Sequence, residues 1–385
     1  MGHVSEEDPR SFFWSFGRLC QQFVVDQYAK VEAGRLLYVI LNQKKLRVDL
    51  YLDVMDAAHN DRPADRNGRF VVLPSSFTGG PRHMNALYQD AMTIVRNFGK
   101  PDLFVTFTCN PQWPEVLREL LPGQTPSDRP DVVVRIFHIK LKALLHDIIG
   151  KGDKGVLGKV VAYTWVIEFQ KRGLPHAHIL LILDAASKIR TPEDIDSVVS
   201  AQIPDPETCP LAFATVSKCM VHGPCSARNP DAPCMETREV NGERFCGKKY
   251  PRPLRAETEM NYEGFPEYKR SADGPLLQGR DGHPVDNTWI VPHNLWLSTK
   301  YNAHINVEVC SSIAAVKYLF KYVYKGHDKT KMAVHPAVAR HRPRAARQES
   351  MMFTSQKTIW MHDMFLPVRH SGGFSSFVCM HALLA

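Results

Sequence analysis

VVAYTWVIEFQ (160–170) and HAHILLILD (176–184) flank the short basic stretch KRGLP (171–175), and this arrangement decides the fold. Each flank is apolar with a strand period, and a linker holding one Gly and one Pro is too short for a crossover, so the pair reads as an antiparallel hairpin. Working outward, DLFVTFTCN (102–110) is a third strand, with Leu103, Val105, Phe107 and Cys109 on one face and Phe104, Thr106 and Thr108 on the other. VVVRIFHIKLKALLHDIIG (132–150) between them is a long amphipathic helix closed by Gly150. Residues 83–98 repeat apolar side chains at helical spacing and stop at Gly99, with Pro101 just beyond. Residues 114–121 can form a short helix, INVEVC (305–310) is strand-like, and SSIAAVKYLFKYVYKG (311–326) reads as a helix capped by Ser311 or Ser312. Near the amino terminus Phe16, Leu19, Phe23, Val24, Tyr28 and Val31 predict an amphipathic helix packed on the next domain. The expected class is α+β, a mainly antiparallel sheet flanked by helices.

Composition bounds the function classes. In 385 residues, 44% are hydrophobic and 23% charged, and mean hydropathy is -0.26, a globular composition with room for more than one domain. No run approaches the roughly 18 apolar residues of a spanning helix. The opening MGHVSEEDPR is acidic and polar, so neither an export signal nor a myristoylation signal is expected. A net charge of +8 permits nucleic-acid binding without demanding it. Of nine cysteines, Cys209, Cys219, Cys225, Cys234 and Cys246 crowd one stretch, which suits free thiols plus a metal site better than a disulfide framework.

The chain divides on these grounds into an amino-terminal helical and connector region (1–82), a main body (83–328), an insert within it (204–284) and a tail (329–385). The insert is rich in Pro, Gly, Cys and charge and has little periodicity. The tail is divergent, and its composition allows disorder. GDKGVLGKV (152–160) resembles a phosphate-binding loop but encloses five residues between Gly152 and Gly158, and Val160 stands where a magnesium-binding Ser or Thr is needed. An ATP site is not expected there.

Three constellations can carry chemistry. His176 and His178 leave the same face of one strand, and Glu168 or Gln170 across the hairpin can add an oxygen ligand. Mixed nitrogen and oxygen ligation suits Mg²⁺ or Mn²⁺, while a pair of surface histidines on an edge strand is the plainer alternative. Tyr318 and Tyr322 share a helix face beside the row Lys317, Lys321 and Lys325. In such a basic field tyrosines can attack a phosphodiester, or they can simply pack the helix while the lysines face solvent. In the insert, His222, Cys225, Cys234 and Cys246 are the chosen ligands for Zn²⁺, with Cys219 spare.

SFTGGPRH (76–83), YQDAMTIVRNFGKPDLFVTFTCNPQWPEV (88–116), VIEFQKRGLPHAHILLIL (166–183) and VKYLFKYVYKGHD (316–328) together resemble the amino-terminal, helicase-like region of Helitron transposon proteins, which contains the rolling-circle Rep nuclease. The resemblance runs in order over about residues 15 to 328. It implies that 104–110 is the first Rep motif, that His176-Ala177-His178 is the His-hydrophobe-His metal motif, and that Tyr318 and Tyr322 are paired catalytic tyrosines. The implied activity is metal-dependent nicking and joining of single-stranded DNA at transposon ends through a phosphotyrosine intermediate, in the nucleus or otherwise the cytoplasm, without a membrane. Lys317, Lys321, Lys325, Lys171 and Arg172 are the expected DNA contacts. These residues hold no motor motif, so helicase activity is not expected in them and a helicase would act in trans. A catalytically inactive DNA-binding relic is the alternative reading, and a fragment that does not fold stably is a third.

Overall fold

In a computed structural model of the chain, the hairpin forms as its alternation requires: strands β2 (Val160–Phe169) and β3 (Pro175–Leu183) pair antiparallel, with Glu168 opposite His176 and Val166 opposite His178. The structure describes residues 18–43, 73–78, 80–150, 155–170, 173–238, 242–262, 265–279, 281–310, 329–332, 351–354 and 378–381. Gly173 turns the hairpin at φ 80°, a left-handed conformation in which a Cβ would be strained, and its N–H donates to the Gln170 carbonyl at 2.8 Å.

Strand β1 (Leu103–Thr108) lies on the other side of β3, with Thr106 opposite His178 and Thr108 opposite His176. Strand β6 (Ile305–Val309) pairs with β1 and β7 (Val378–His381) with β2, so the sheet order is β6-β1-β3-β2-β7, all antiparallel. The two short strands β4 (Met235–Thr237) and β5 (Arg244–Cys246) form a separate hairpin in the insert. The fold is α+β, an antiparallel sheet flanked by helices.

Alternation gives this sheet two different faces. Leu103, Val105 and Phe107 of β1, Ala177, Ile179 and Leu181 of β3, and Tyr163, Trp165 and Ile167 of β2 point into one core. Helix α3 (Pro130–Ile149) supplies Val133, Phe137, Leu141, Leu144 and Ile148 to it, a stripe at spacings of three and four. Phe107 stacks on Phe137 with centroids 5.1 Å apart, and the buried Trp113 indole donates to the Tyr301 carbonyl at 2.8 Å. On the opposite face, Ile94 and Phe98 of helix α2 (Pro81–Phe98) cover Ala162 and Ile182, whereas Thr106, Thr108, His176, His178 and Glu168 lie on the remainder of that face. Helices α2 and α3 stop where expected, at Gly99 (φ 93°) and Gly150 (φ 80°), each donating its N–H back one helical turn.

The chain divides into two compact units. One comprises Met1–Asp90, Leu120–Asp131 and Phe320–Phe377, and the other Ala91–Glu119, Val132–Leu319 and Val378–Ala385. In the first, helix α1 (Arg18–Leu41) buries Val39 and sets Arg35 over the Phe77 ring at 5.1 Å, but Leu19, Phe23, Val31, Leu37 and Leu41 are exposed. Its apolar stripe is therefore only partly covered among the described residues.

The insert is more ordered than its composition suggests. Helix α5 (Pro210–Cys219), which follows helix α4 (Pro192–Val198), buries Val216 against a second core of Met220, Cys225, Cys246, Tyr250, Trp289 and Ile290. Helix α6 (Leu295–Tyr301) then leads into β6. In the glycine-rich loop before β2, Gly155 approaches the Ile148 carbonyl so closely that a Cβ would sit 1.7 Å from its oxygen. That glycine serves close packing against α3.

Candidate metal centres

On the polar face of the sheet, register alone brings four residues into a row across the strands. Glu168 on β2 is opposite His176 on β3, His176 is opposite Thr108 on β1, and the Thr108 N–H donates to the carbonyl of His304 just before β6, at 2.9 Å. Thr108 Oγ1 is 2.9 Å from His176 Nδ1, and Thr106 Oγ1 is 3.3 Å from His178 Nδ1. With the proton on Nδ1, each ring donates to its threonine and presents its Nε2 lone pair as the metal-ligating atom. Both Nε2 atoms face β2: His178 Nε2 is 3.3 Å from Glu168 Oε2, and the Gln170 side-chain amide meets His176 Nε2. The rings lie parallel, 5.8 Å apart with planes 12° apart, and Phe104 stacks behind His178 at 5.7 Å. Burial, reinforced by His178 and His304, pushes the His176 pKa down to about 3, so this imidazole is neutral at physiological pH. A neutral imidazole is the form that ligates a metal.

His176, His178, Glu168 and Gln170 are thus brought together. Lys171 and Arg172 of the adjoining turn lie outside the described residues, as do Tyr318, Tyr322, Lys317, Lys321 and Lys325.

The second centre is in the insert. The candidate ligand atoms of His222, Cys225, Cys234 and Cys246 all lie within 4.8 Å of one another. Among the described residues this is the one group of three or more His, Cys, Asp or Glu side chains so closely gathered. The cage is capable of holding a divalent metal ion. Its three cysteines are free thiols, and Cys246 Sγ is 3.6 Å from His222 Nε2. Tetrahedral zinc with arms of about 2.0–2.1 Å to nitrogen and 2.3 Å to sulfur puts such atoms about 3.6 Å apart. Cys219 stays outside the cage, and its carbonyl is 2.8 Å from His304 Nδ1.

Local structure explains how distant residues converge. In the β4–β5 hairpin Cys246 pairs with Met235, and the Gly247 N–H donates to the Cys234 carbonyl at 2.8 Å, which sets the two cysteines side by side. Cys225 begins a tight turn through Ser226, whose φ is 56°, and the Arg228 N–H closes it on the Cys225 carbonyl at 3.2 Å. His222 is held by its N–H to the Trp289 carbonyl at 2.8 Å, and its ring stacks on Tyr250 with centroids 4.1 Å apart.

Burial and mutual repulsion set the electrostatics of the thiol cluster. Burial, together with the neighbouring Cys246 and Cys225, pushes the Cys234 thiol up to about 12, and burial raises Cys225 as well. Burial also opposes ionisation of Cys246, but the N–H groups of Tyr250 and Lys248 and the two other thiols outweigh it and hold its pKa below the usual thiol value. Burial, helped by Lys248, His304 and Arg252, pushes His222 down to about 4. The neutral imidazole is ready for a metal ion, Cys246 is the thiol that ionises most readily, and Cys225 and Cys234 must lose protons to the metal.

Residues 1–181 match the model of a family described as the Helitron helicase-like domain at N-terminus. This region of the chain is Helitron-like. The match contains the entire β1–α3–β2 run and ends within β3, so it includes Glu168, Gln170, His176 and His178 and stops before the cysteine cage. No curated protein matches the chain. Among the described residues no helix is long and apolar enough to cross a membrane.

Sequence reading missed Thr106, Thr108, His304 and Tyr250 as parts of these centres. The two threonines carried a signal, since alternation places them with Phe104 on the face opposite the core. For His304 and Tyr250 there was none, because each reaches its centre through long-range pairing.

Proposed function

We propose that the Helitron-like region and the remainder of the sheet unit form a Rep-type nuclease that nicks and joins single-stranded DNA at transposon ends. The observation that carries this reading is the threonine-oriented pair His176 and His178, with both Nε2 atoms turned toward Glu168 and Gln170. These side chains fit Mg²⁺ or Mn²⁺: two imidazole nitrogens and one or two oxygens, leaving positions for phosphate and water. A divalent ion held there would supply charge neutralisation on the scissile phosphate.

The protein's own groups perform the remaining steps. Thr106 and Thr108 keep the imidazoles in one tautomer and orientation, and Glu168 or Gln170 completes the ligand set. In this reading Tyr318 or Tyr322 attacks phosphorus through its phenolic oxygen. The new bond is a 5′-phosphotyrosine, the bond to O3′ breaks, and the phenolic proton leaves as the 3′-hydroxyl gains one. Joining reverses these changes with another strand's 3′-hydroxyl. Lys317, Lys321, Lys325, Lys171 and Arg172 hold the DNA backbone, and the cysteine cage takes Zn²⁺ to fold the insert. The nucleus is the compartment this activity calls for, with a helicase supplied in trans.

The test is covalent capture of labelled single-stranded transposon-end DNA in Mn²⁺ or Mg²⁺ on denaturing gels. Wild type should give a protein–DNA adduct, and Tyr318→Phe with Tyr322→Phe together should abolish it. A folded wild-type sample that yields neither adduct nor nick with either ion makes the protein a catalytically inactive DNA-binding relic.

A further inference from the structure

The insert also carries a run of charge that the nuclease centre does not use. From Arg244 to Arg255 the sequence is RFCGKKYPRPLR, with five basic residues and no acidic one. Its cations fall into two groups. Arg244 pairs with Asp231 at 2.8 Å and Arg255 with Glu259 at 2.6 Å, as Arg238 nearby pairs with Glu243 at 3.1 Å and Arg228 with Asp281 at 3.4 Å. Lys248, Lys249 and Arg252 are exposed, and among the described residues none of them has a carboxylate partner.

These three sit on a backbone that cannot easily rearrange. The Lys249 N–H donates to the Cys246 carbonyl at 2.7 Å, with Lys249 itself at φ 60°, and the Arg252 N–H donates to the Thr288 carbonyl at 2.9 Å. Between them Tyr250 is buried, with its ring on His222 and the Arg252 guanidinium 5.5 Å from its centroid. Lys248 is two residues from the ligand Cys246, and Arg252 lies over the Tyr250 ring that stacks on His222, so both are close to the cage. A loaded cage of three thiolates, one neutral imidazole and a divalent ion has a net charge of about -1, and with the Glu236 carboxylate packed against Gly247 the three cations still exceed the local negative charge by about one. Unpaired surplus charge on a rigid turn is the arrangement that holds a polyanion without reading its sequence.

We propose that Lys248, Lys249 and Arg252 form a second docking surface for the phosphate backbone of single-stranded DNA, held in shape by the cysteine cage. The choice of DNA rests on the nuclease reading, whereas the existence of the surface rests on the unpaired cations.

The test uses the full chain loaded with zinc, and measures binding of fluorescein-labelled oligothymidine by anisotropy across a KCl series. The test variant combines Lys248→Gln, Lys249→Asn and Arg252→Gln; asparagine is chosen because it tolerates the left-handed backbone at that position. Each single-strand phosphate contact contributes about 0.7 to the slope of log affinity against log salt, so loss of three should make the slope shallower by about 2. Zinc content should stay at the wild-type level, and a control carrying Arg118→Gln, Lys142→Gln and Arg190→Gln should keep the wild-type slope. An unchanged slope in the test variant overturns the surface and leaves the nuclease reading intact. Equal flattening in the control reduces it to bulk charge and overturns it too. Wild-type protein that holds zinc but binds no oligothymidine overturns both readings. Recovery of the wild-type slope by saturating zinc confines the three cations to supporting the cage, and a wild-type preference for oligouridine that the test variant loses assigns the surface to RNA; either result overturns the proposal.

Discussion

Thr108 Oγ1 lies 2.9 Å from His176 Nδ1, whereas the matching contact of Thr106 with His178 is 3.3 Å. The first histidine is thus the more firmly oriented of the pair. Thr108→Val keeps the shape of the side chain and removes the acceptor, so the ring loses the group that fixes its tautomer. Calorimetric Mn²⁺ titration should show affinity about 10–100-fold weaker in Thr108→Val, with a smaller loss in Thr106→Val. Equal, unaltered affinity in both would separate the threonines from metal binding.

Glu168 and Gln170 compete for the place of third ligand. Glu168 carries the charge and sits on β2 directly opposite His176, while Gln170 lies one residue beyond the strand end. A carboxylate is the stronger ligand for a hard cation, so Glu168→Ala should weaken Mn²⁺ binding more than Gln170→Ala. The reverse order in the same titration would give the position to Gln170.

The cysteine cage makes a prediction about protons. Cys234 is held up near a pKa of about 12 and Cys225 is also raised, so both are protonated at neutral pH and must ionise when metal binds. Zinc uptake should release at least the protons of these two thiols, read by titration in buffers of different ionisation enthalpy, and affinity should fall as pH falls. Cys234→Ser should lose the metal and expose the insert to protease. Metal-free wild-type protein with the same protease resistance would sink the folding role.

Acid should destabilise the unit that contains the sheet. His293 is fully buried, and burial, against its bond to the Val291 carbonyl, pushes its pKa down to about 4. Between that value and the ordinary histidine value near 6.5 the unfolded chain binds a proton that the folded one does not, so stability falls as pH drops through this window and is flat above it. One such histidine contributes a slope of at most about 1.4 kcal/mol per pH unit. Denaturant midpoints of the metal-free protein at pH 7 and pH 5 measure it, and His293→Gln should reduce the dependence without abolishing it, because His176 and His222 are depressed as well.

Phe107 anchors the core behind the polar face. It is fully buried between Phe137 and Trp113, with centroids 5.1 and 6.0 Å away. Phe107→Ala should cost about 3–5 kcal/mol, and through β1 it should loosen Thr106 and Thr108, so denaturation and Mn²⁺ titration should move together. Loss of stability with intact metal affinity would uncouple the core from the site.

The strands, their turn and the stops of α2 and α3 were legible in the sequence because each depends on neighbouring residues: period-two alternation, glycine at a left-handed position, a stripe at helical spacing. The same alternation put His176 and His178 on one face, and spacing of soft ligands marked the cage residues. Tertiary structure decided the rest. Which threonine meets which histidine depends on the register of β1 against β3, which bonds residues 68 and 72 positions apart. Likewise, nothing local to His222 announces Tyr250, and nothing in RFCGKKYPRPLR says which cations find a carboxylate. Pairing across the chain is settled by packing the whole unit, since hydrogen bonds and ion pairs act over a few ångströms in space and are indifferent to distance along the sequence.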